Sequence, residues 1–581
     1  FPLERPGAWI AGDNLRFAIH CPSAASVEIV GEWTDWQARP LALQSTLDGS
    51  YFWGEIPLSD VTGPLGRESV HGTLYKLCLN QVRLVQDPAA DWVENSDPER
   101  ASKLVDHGSY PWRSNAWQRP GWDYLIVYQL HPSRFARRNG TRGLDAIAHE
   151  LTDPGGYLKH VNATALLLMP TCEFAGDLGW GYNPSFFYSV ESAYGGPDAL
   201  KRLVDACHES GRAVLLDVVF NHAGTSDNAL WSVASESYFD GDTEWGAMIN
   251  FDHPQVIHFF EQNLRHFMND YRIDGFRFDF TRVIRYGGTW SSHVRKPGSG
   301  GGWEFLHRLR RVVHALDPRC LFMAENLPNE WDLTRYGGPM DTQWCDEFHD
   351  RIVEASRGHA VLDRLADALR ATHTNCNQWY EATNYPESHD EVGNEPNRIS
   401  SMNVGGIGQG LRRNKVAAAA TLLSRGIPMW FMGAEAGEWR QFQKDEGTPL
   451  DLAHYEQDPS ANQLRRWWND LCRLRKGNAR IQGPAPLSVH YVDPGILALS
   501  RGEGADLFAV MNFGNWSGWK SLAELNLPDG DYKELLNSTW GDYRVGAENE
   551  DEHSNGGWDA HLGRGQWLNV PDYGVVLLEK R

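Results

Sequence analysis

Eight short apolar runs in the middle of the chain constrain its fold more than any other feature. Helical patterns lie between several of them, as at 196–207, 254–268 and 305–316. This alternation is typical of parallel strands covered by helices, and eight repeats close naturally into a (β/α)8, or TIM, barrel. The runs are 124–128, 165–169, 213–218, 273–280, 320–325, 340–344, 382–385 and 428–432. We therefore predict an α/β protein with a barrel over residues 124–482.

Short alternating strands are predicted on both sides of the barrel. The N-terminal runs are 15–19, 25–30, 50–54 and 74–79. The C-terminal runs are 497–500, 507–511 and 574–578. Such patterns, separated by Gly, Pro, Asp and Asn, indicate antiparallel β-sandwiches. We predict an N-terminal sandwich over 1–105, a linker over 106–123 and a C-terminal sandwich over 483–581.

Charge and cysteine usage exclude several classes of protein. The 581 residues carry a formal charge of -22, which disfavours a nucleic acid or an anionic membrane as partner. The eight cysteines are scattered without a C-x-x-C pair, so we expect reduced, buried thiols. No apolar run is long enough to span a bilayer, and no export signal opens the chain. These features favour the cytoplasm, although a first residue other than Met leaves a processed, secreted form open. The oligomeric state stays open.

The run 271–280 places two opposite charges on one side of an apolar strand. Because side chains alternate along a strand, Arg277 and Asp279 point one way and the phenylalanines of the run point the other. An adjacent cation favours the ionised form of a carboxyl group, which is the form that a nucleophile needs. The alternative is a structural ion pair at the end of a strand.

Further polar residues follow other predicted barrel strands. In a barrel of this type, charged residues at the C-terminal ends of the strands mark the active face. The residues at these ends are Asp217, Asn221, His222, Arg277, Asp279, Glu325, His389 and Asp390.

Four motifs at these strand ends resemble those of the α-amylase superfamily, glycoside hydrolase family 13. They are DVVFNH at 217–222, GFRFD at 275–279, AEN at 324–326 and SHD at 388–390. One such motif is weak evidence, but all four occur in the expected order and each at the expected strand. The resemblance covers about residues 124–440 and, more loosely, both flanks. It implies an enzyme that acts on α-glucan chains or maltooligosaccharides without a cofactor.

The resemblance also implies catalytic roles. Asp279 aligns with the nucleophile, Glu325 with the general acid/base, and Asp390 with the carboxylate that holds sugar hydroxyls in the transition state. A retaining glycosidase needs one ionised carboxylate and one protonated carboxyl group about 5 Å away. Glu325 ends an apolar strand, where desolvation and neighbouring carboxylates are expected to favour its protonated form.

The same resemblance implies residues that bind the substrate. His222 and His389 match positions that contact hydroxyls of the sugar at the cleavage point. Asp217 pairs with Arg277 in the family pattern, and Asn221 belongs to the same motif. A core or capping role is the alternative for either histidine taken singly.

Aromatic residues add candidate sugar platforms, since flat amphipathic rings suit sugar faces. In the barrel these are Trp180, Tyr182, Trp245, Trp344 and Trp439, and packing in the barrel wall is their alternative. The N-terminal segment resembles a starch-binding-type module, in which Trp33 and Trp36 could stack on a glucan or pack the sandwich. The segment after His222 is short and poor in carboxylates, so no structural metal is expected.

The subfamily signals conflict. Segments 179–184 and 192–197 look like both trehalohydrolases and branching enzymes. Segments 245–252 and 341–349 look most like maltooligosyltrehalose trehalohydrolases, whereas 387–392 is closer to glycogen-branching enzymes. Trehalohydrolases usually carry two acidic residues after the acid/base, where this chain has Asn-Leu-Pro. The leading hypothesis is a retaining hydrolase of amylase or trehalohydrolase type that works through a covalent glycosyl-aspartate.

Three alternatives stay open. A glucan hydroxyl that replaces water as acceptor would make the chain a 1,4-α-glucan branching enzyme. A non-catalytic glucan-binding scaffold would need a missing carboxylate. A barrel for phosphorylated sugars would use the glycine-rich segment 405–410 as a phosphate loop.

Overall fold

The computed structural model describes most of the chain. The described residues are 4–136, 140–176, 179–225, 227–288, 301–358, 362–374, 376–395, 397–402, 407–444, 449–546, 555, 561–562 and 566–581. They form two compact units. The first comprises Phe1–Arg119, His131–His149 and Leu168–Glu325. The second comprises Pro120–Leu130, Glu150–Leu167 and Asn326–Arg581.

The N-terminal region is an antiparallel β-sandwich with one short helix, α1 (Leu58–Thr62). Its strands are β1 (Gly7–Ala11), β2 (Asn14–His20), β3 (Val27–Gly31), β4 (Leu41–Ala42), β5 (Gln44–Ser45), β6 (Tyr51–Pro57), β7 (Leu74–Leu79), β8 (Arg83–Val85), β9 (Trp92–Val93) and β10 (Ser102–Lys103). One sheet has the order β1-β2-β6-β5, and the other runs β4-β3-β7-β10-β9 with β8 beside β7. The two sheets share a core that contains Phe17, Ile29 and Tyr75. Trp33 packs partly buried against this core, as its packing alternative predicts.

Strands and helices alternate in the central region. Its strands are β11 (Val127–Leu130), β12 (Ala165–Leu168), β13 (Cys172–Phe174), β14 (Pro184–Val190), β15 (Ala213–Val218), β16 (His222–Ala223), β17 (Phe239–Asp242), β18 (Ala247–Ile249), β19 (Gly275–Phe278), β20 (Leu321–Ala324), β21 (Thr342–Trp344), β22 (Ala382–Asn384) and β23 (Ile427–Phe431). Its helices are α2 (Gly143–Thr152), α3 (Gly196–Glu209), α4 (Ala229–Tyr238), α5 (Pro254–Asp270), α6 (Thr281–Tyr286), α7 (Gly301–Leu316), α8 (Asp346–Ser356), α9 (Leu362–Thr374), α10 (His389–Asn394) and α11 (Ile407–Leu423).

Eight of these strands close into the predicted barrel. Their order is β11-β12-β15-β19-β20-β21-β22-β23, and each of the eight apolar runs contributes one strand. The strands are buried on both faces, which is why they read as continuous apolar runs instead of alternating ones. The (β/α)8 prediction is therefore confirmed. The exact domain limits at 105, 123 and 482 stay predictions.

The C-terminal region consists of two helices followed by antiparallel strands. The helices are α12 (Leu452–Gln457) and α13 (Pro459–Gly477). The strands are β24 (Leu487–Val492), β25 (Ile496–Arg501), β26 (Leu507–Asn512), β27 (Gly518–Ser521), β28 (Tyr532–Asn537), β29 (His561–Leu562), β30 (Trp567–Val570) and β31 (Val575–Lys580). The order β24-β25-β26-β31-β28-β29 forms one sheet, and β27 pairs with β30 over a shared core. This is the predicted C-terminal sandwich.

Three further predictions concern the thiols, membrane-spanning segments and the glycine-rich segment. All eight cysteines are buried free thiols, as expected. No helix among the described residues is both long and apolar enough to cross a membrane. Of the phosphate-loop segment 405–410, residues 405 and 406 lie outside the described residues, whereas Gly408 and Gly410 belong to α11.

Candidate active site

A single guanidinium group joins three carboxylates in the first compact unit. The side chain of Arg277 is fully buried, and its Nη1 lies 2.7 and 2.8 Å from the two oxygens of Asp217. The same Nη1 lies 3.0 Å from Asp279 Oδ1, and Nη2 lies 2.6 Å from Glu325 Oε2. The rigid fork of arginine suits this arrangement, because its two arms can hold different carboxylates at fixed positions.

Strand register brings these charges together. In the parallel pair β15–β19, Asp217 lies opposite Arg277, so the two side chains share one level of the barrel. The amide of Asp279 donates to the carbonyl of Val218 (3.0 Å), and the amide of Glu325 donates to the carbonyl of Phe278 (3.0 Å). The residues therefore sit at the C-terminal ends of three adjacent strands, where barrel enzymes carry their chemistry.

Asp279 is held from two sides and stays accessible. Asn221 Nδ2 donates to Asp279 Oδ2 (2.7 Å) and to the Asp279 backbone carbonyl (2.8 Å). Arg277 contacts the other carboxylate oxygen. The Asp279 side chain remains 14% exposed, so a substrate can reach a carboxylate whose orientation is already fixed.

Glu325 takes its position from an unusual backbone turn. Phe280, directly after Asp279, has φ 32° and ψ 61°, a left-handed conformation that is strained for a bulky residue. The turn directs the amide of Phe280 to Glu325 Oε2 (2.9 Å). Thr281 then donates its amide and its hydroxyl to the backbone carbonyl of Glu325, each at 2.8 Å. The Glu325 side chain is 9% exposed.

The contact between Arg277 and Glu325 was not expected from the sequence. The sequence led us to expect neighbouring carboxylates around Glu325, but the guanidinium of Arg277 lies against it as well. Burial works against the charge of Arg277, yet the carboxylates of Asp217 and Glu325 outweigh it and raise the pKa of Arg277 well above its usual value. The guanidinium therefore remains a cation in contact with all three carboxyl groups.

Asp217 has a different environment from the other two carboxylates. Its side chain is fully buried, and Tyr182 donates its hydroxyl to Asp217 Oδ2 (2.7 Å). Burial raises the pKa of Asp217 to about 6 although Arg277 works in the opposite direction. With no exposed surface, Asp217 can position Arg277 but cannot reach a substrate.

The candidate sugar-binding residues in this unit differ in accessibility. His222 Nδ1 contacts Asn221 Oδ1, and the ring of His222 lies 5.9 Å from the ring of Trp245. Trp245 also forms a T-shaped contact with Phe280 and is 39% exposed, and its role as a platform stays a prediction. Trp180 is only 5% exposed, and its role as a platform stays a prediction.

In the second compact unit, His389 is fixed by a residue that the sequence analysis did not single out. The His389 amide donates to Gln129 Oε1 (3.0 Å), and Gln129 Nε2 lies 3.0 Å from His389 Nδ1. Asp390, at the start of α10, accepts from Asn394 (2.6 Å) and is half-buried. Gln129 follows the apolar run at the end of β11, so the strand-end rule applied to the first strand would have found it.

One group of side chains has the composition of a metal site. Potential ligand atoms of Asp91, His107 and His266 lie within 4.8 Å of one another. However, the guanidinium of Arg5 already contacts Asp91 and lies 3.1 Å from His266 Nδ1. A permanent cation at that point competes with a metal ion, so these residues do not fit a metal site.

Comparison with known proteins identifies the family. The α-amylase catalytic domain matches residues 129–245, and the all-β C-terminal domain of α-amylases matches residues 488–581. The chain carries the catalytic and C-terminal domains of the α-amylase family. It is therefore an enzyme of this family, as the strand-end motifs predicted. The catalytic match includes Asp217 to His222 and ends before Asp279 and Glu325, whose catalytic roles stay predictions.

Curated relatives of this amylase-family chain fall into two groups. A 1,4-alpha-glucan branching enzyme GlgB of Thiobacillus denitrificans is 26% identical over 540 residues, covering 86% of the chain and 70% of the relative. A malto-oligosyltrehalose trehalohydrolase of Saccharolobus solfataricus is 28% identical over 415 residues, covering 64% and 67%. Both subfamilies that the sequence segments resembled are thus among the relatives.

Solved structures support the fold. A pullulanase of Anoxybacillus in complex with maltotriose has a TM-score of 0.74 and 18% identity, with 99% of this amylase-family chain and 85% of the other covered. A pullulanase of Bacillus acidopullulyticus has a TM-score of 0.76 and 17% identity, with 99% and 75% covered. At such identities, the likeness shows a common architecture.

Proposed function

We propose that the chain is a retaining glycoside hydrolase that cleaves α-1,4-glucans or maltooligosaccharides through a covalent glycosyl-Asp279 intermediate. The arrangement around Arg277 carries this proposal. One guanidinium holds two partly exposed carboxylates, Asp279 and Glu325, while the third, Asp217, is buried. A retaining mechanism needs two accessible carboxyl groups roughly 5 Å apart, and two such groups held by one arginine support this proposal.

In the first step, Glu325 donates a proton to the glycosidic oxygen while an oxygen of Asp279 attacks the anomeric carbon. The bond from that carbon to the leaving oxygen breaks, and a glycosyl ester of Asp279 forms. Arg277 and Asn221 fix the Asp279 carboxylate through its two oxygens, so little reorganisation precedes the attack.

In the second step, Glu325 takes a proton from water, and the water oxygen attacks the anomeric carbon. The ester bond to Asp279 breaks, and the product keeps its original anomeric configuration. The contact between Arg277 Nη2 and Glu325 Oε2 stabilises the carboxylate that Glu325 has become by then. The same cation thus serves both half-reactions.

The remaining site residues are proposed to bind the sugar. By family resemblance, Asp390 holds hydroxyls in the transition state, and His222 and His389 contact hydroxyls at the cleavage point. The exposure of Trp245 supports a stacking role.

Substitution of Asp279 tests the mechanism against a non-catalytic scaffold. We expect Asp279→Asn to lose turnover of maltoheptaose while retaining glucan binding, because the carboxamide keeps the shape and loses the nucleophile. Turnover follows from reducing-end release, and binding from calorimetry. Near-normal turnover by a clean preparation of this variant would disprove the role of Asp279, and an inactive parent chain would favour the scaffold.

A branching enzyme is the second candidate, because several relatives carry that name. Transfer to a glucan 6-hydroxyl uses the same two carboxyl groups and differs only in the acceptor. Incubation with amylose separates the two activities. A hydrolase produces reducing ends as iodine staining declines, whereas a branching enzyme bleaches iodine with little new reducing sugar.

The trehalohydrolase variant of the proposal needs its own substrate. A relative bears that name, yet this chain has Asn326 in place of the first acidic residue after the acid/base. Hydrolysis of maltooligosyltrehalose that releases free trehalose, at a higher rate than hydrolysis of a plain maltooligosaccharide of equal length, would assign this specificity. Equal or lower rates would assign an amylase-type hydrolase.

A further inference from the structure

The ribbon formed by β27 and β30 exposes two tryptophans in the C-terminal sandwich. Trp519 is 58% exposed and Trp567 is 52% exposed. Single exposed rings are common on protein surfaces, but neighbouring ones that form a contiguous patch often mark a binding site. No other ring packs against either indole among the residues that the structure describes in 449–546 and 566–581.

Strand register places both indoles on one face of the ribbon. Trp519 lies opposite Asn569, and Ser521 lies opposite Trp567, in an antiparallel pair. Directly opposed residues share a face, so Trp519 and Trp567 are diagonal neighbours, with Cβ atoms roughly 7 to 8 Å apart. The inner face of the ribbon packs on the core of the sandwich, to which Leu568 and Val570 belong.

Polar groups accompany the two rings. Ser521 lies beside both of them, and its hydroxyl and amide donate to Glu524 Oε2 at 3.0 and 2.7 Å. Glu524 itself is exposed. Two aromatic faces with hydroxyl and carboxylate groups beside them match a sugar chain, which offers apolar C–H faces and a rim of hydroxyls.

We propose that this face, defined by Trp519, Ser521, Glu524 and Trp567, is a second binding site for α-glucan chains. The inference rests on the proposed action on α-glucans, because such a substrate is a polymer that can contact more than one site. The formal charge of -22 argues against an anionic partner. The site would raise the affinity of the enzyme for long glucans by adding a second point of attachment.

Affinity electrophoresis in gels that contain glycogen tests the proposal. The parent chain carries Asp279→Asn, so that the polymer is not degraded during the run. We expect Trp519→Ala and Trp567→Ala each to weaken retardation by about 5-fold in apparent affinity, and Trp519→Phe to restore most of it. In the active enzyme, the same alanine variants should keep full turnover of maltoheptaose and lose rate on glycogen.

Trp516→Ala is the matched control. Trp516 is 47% exposed, and its ring lies 2.3 Å from where a Cβ of Gly518 would be, on the side of the ribbon opposite to Trp519. Unchanged retardation in the Trp519 and Trp567 variants would overturn the proposal, as would an equal loss in Trp516→Ala. A change in the sedimentation-derived mass of the Trp519 and Trp567 variants would overturn it in favour of a contact between copies of the chain.

This experiment separates the inference from the proposed function. Loss of maltoheptaose turnover in Asp279→Asn tests the active site. This comparison uses chains in which Trp519 and Trp567 are unchanged. If maltoheptaose is not cleaved but glycogen retards the chain through Trp519 and Trp567, the active-site assignment fails while the second site stands.

Discussion

Two regions of this molecule bury arginine in opposite ways. Arg277 contacts side-chain carboxylates, with Asp217, Asp279 and Glu325 around it. Arg475 in α13 and Arg501 in β25 contact backbone carbonyls instead, at the C-terminal end of α11 and in the loop before β24. Arg475 reaches the carbonyls of Leu422 (2.6 Å), Ser424 (3.0 Å) and Gly426 (2.6 Å). Arg501 reaches those of Leu423, Ser424 (2.9 Å), Gln482 (2.8 Å), Ala485 (3.1 Å) and Pro486 (3.2 Å).

The difference distinguishes a chemical use of a buried cation from a structural one. Burial lowers the pKa of Arg475 to about 10, and within the described chain no carboxylate pairs with it or with Arg501. These two arginines satisfy carbonyls that the last turn of a helix leaves without partners, and they complement the negative end of its dipole. Arg277 instead holds the carboxyl groups of Asp279 and Glu325 at a surface that a substrate can reach.

Removal of Arg277 should have the largest effect. Arg277→Met leaves Asp217 as a buried carboxylate without its cation, so the free energy of unfolding should fall by about 3 to 5 kcal/mol. Turnover should fall on the order of 10³-fold, because Asp279 and Glu325 lose the group that positions them. Urea denaturation and maltoheptaose turnover measure the two effects. In the control Arg308→Met, which removes a pair with Glu261, both should change little. Near-normal turnover by a folded Arg277→Met chain would contradict the central role of Arg277.

Removal of Arg475 should act on stability alone. Arg475→Met leaves three buried carbonyls without a charged donor, which should lower the free energy of unfolding by about 2 to 4 kcal/mol. Turnover of the folded enzyme should change less than about 2-fold, since no reacting group depends on this helix end. Arg473→Met, on the same helix but paired with Asp470 at the surface, is the matched control. A large loss of turnover at unchanged stability would show that the two regions do not differ as argued.

The barrel was predictable because its pattern is local. Strands that are buried on both faces must be apolar along their whole length, so each of the eight runs was visible in the sequence. The charges that interrupt or follow these runs, such as Arg277 and Glu325, stood out against the apolar background. Parallel strands then place their C-terminal ends at one edge, as the contacts of Arg277 with Asp217, Asp279 and Glu325 illustrate.

The rest of the site depends on tertiary geometry that no motif records. The residue with left-handed conformation is Phe280, and a phenylalanine gives no sequence signal for such a turn. The turn decides which amide reaches Glu325. The contact of Arg277 with Glu325 likewise depends on how far β20 extends beside β19. Gln129 looked like an ordinary end of a strand, because its partner His389 lies 260 positions away in the chain.

Asn221 offers a finer test of the region around Arg277. Asn221→Ala removes both hydrogen bonds from its amide to Asp279 and leaves the cation in place. A less well-oriented nucleophile should lower kcat by about 10- to 100-fold with little change in KM. In Asn263→Ala, which removes a buried amide that donates to the carbonyl of Phe187 (2.8 Å), we expect lower stability and unchanged kcat. If the two variants behave alike, Asn221 supports the fold and does not position the nucleophile.

The smallest effect concerns pH, and it again separates the two regions. Burial raises the pKa of Asp217 to about 6, so this carboxyl is neutral below that pH and ionised above it. The ionised form pairs more strongly with Arg277, and we expect kcat/KM to rise a few-fold as pH increases through about 6.

The contribution of Asp217 to the free energy of unfolding should change in the opposite direction and fall as pH rises. The folded chain holds this proton more tightly than an unfolded aspartate with a pKa of about 3.9, so the contribution of Asp217 to the free energy of unfolding falls between about pH 4 and 6. Rate profiles of the parent enzyme and of Asp217→Asn test this assignment, because the variant has no group to titrate at that position. A limb near pH 6 that persists unchanged in Asp217→Asn belongs to another residue. Among the described residues no carboxylate pairs with Arg475 or Arg501, so Arg475→Met should leave the limb where it is.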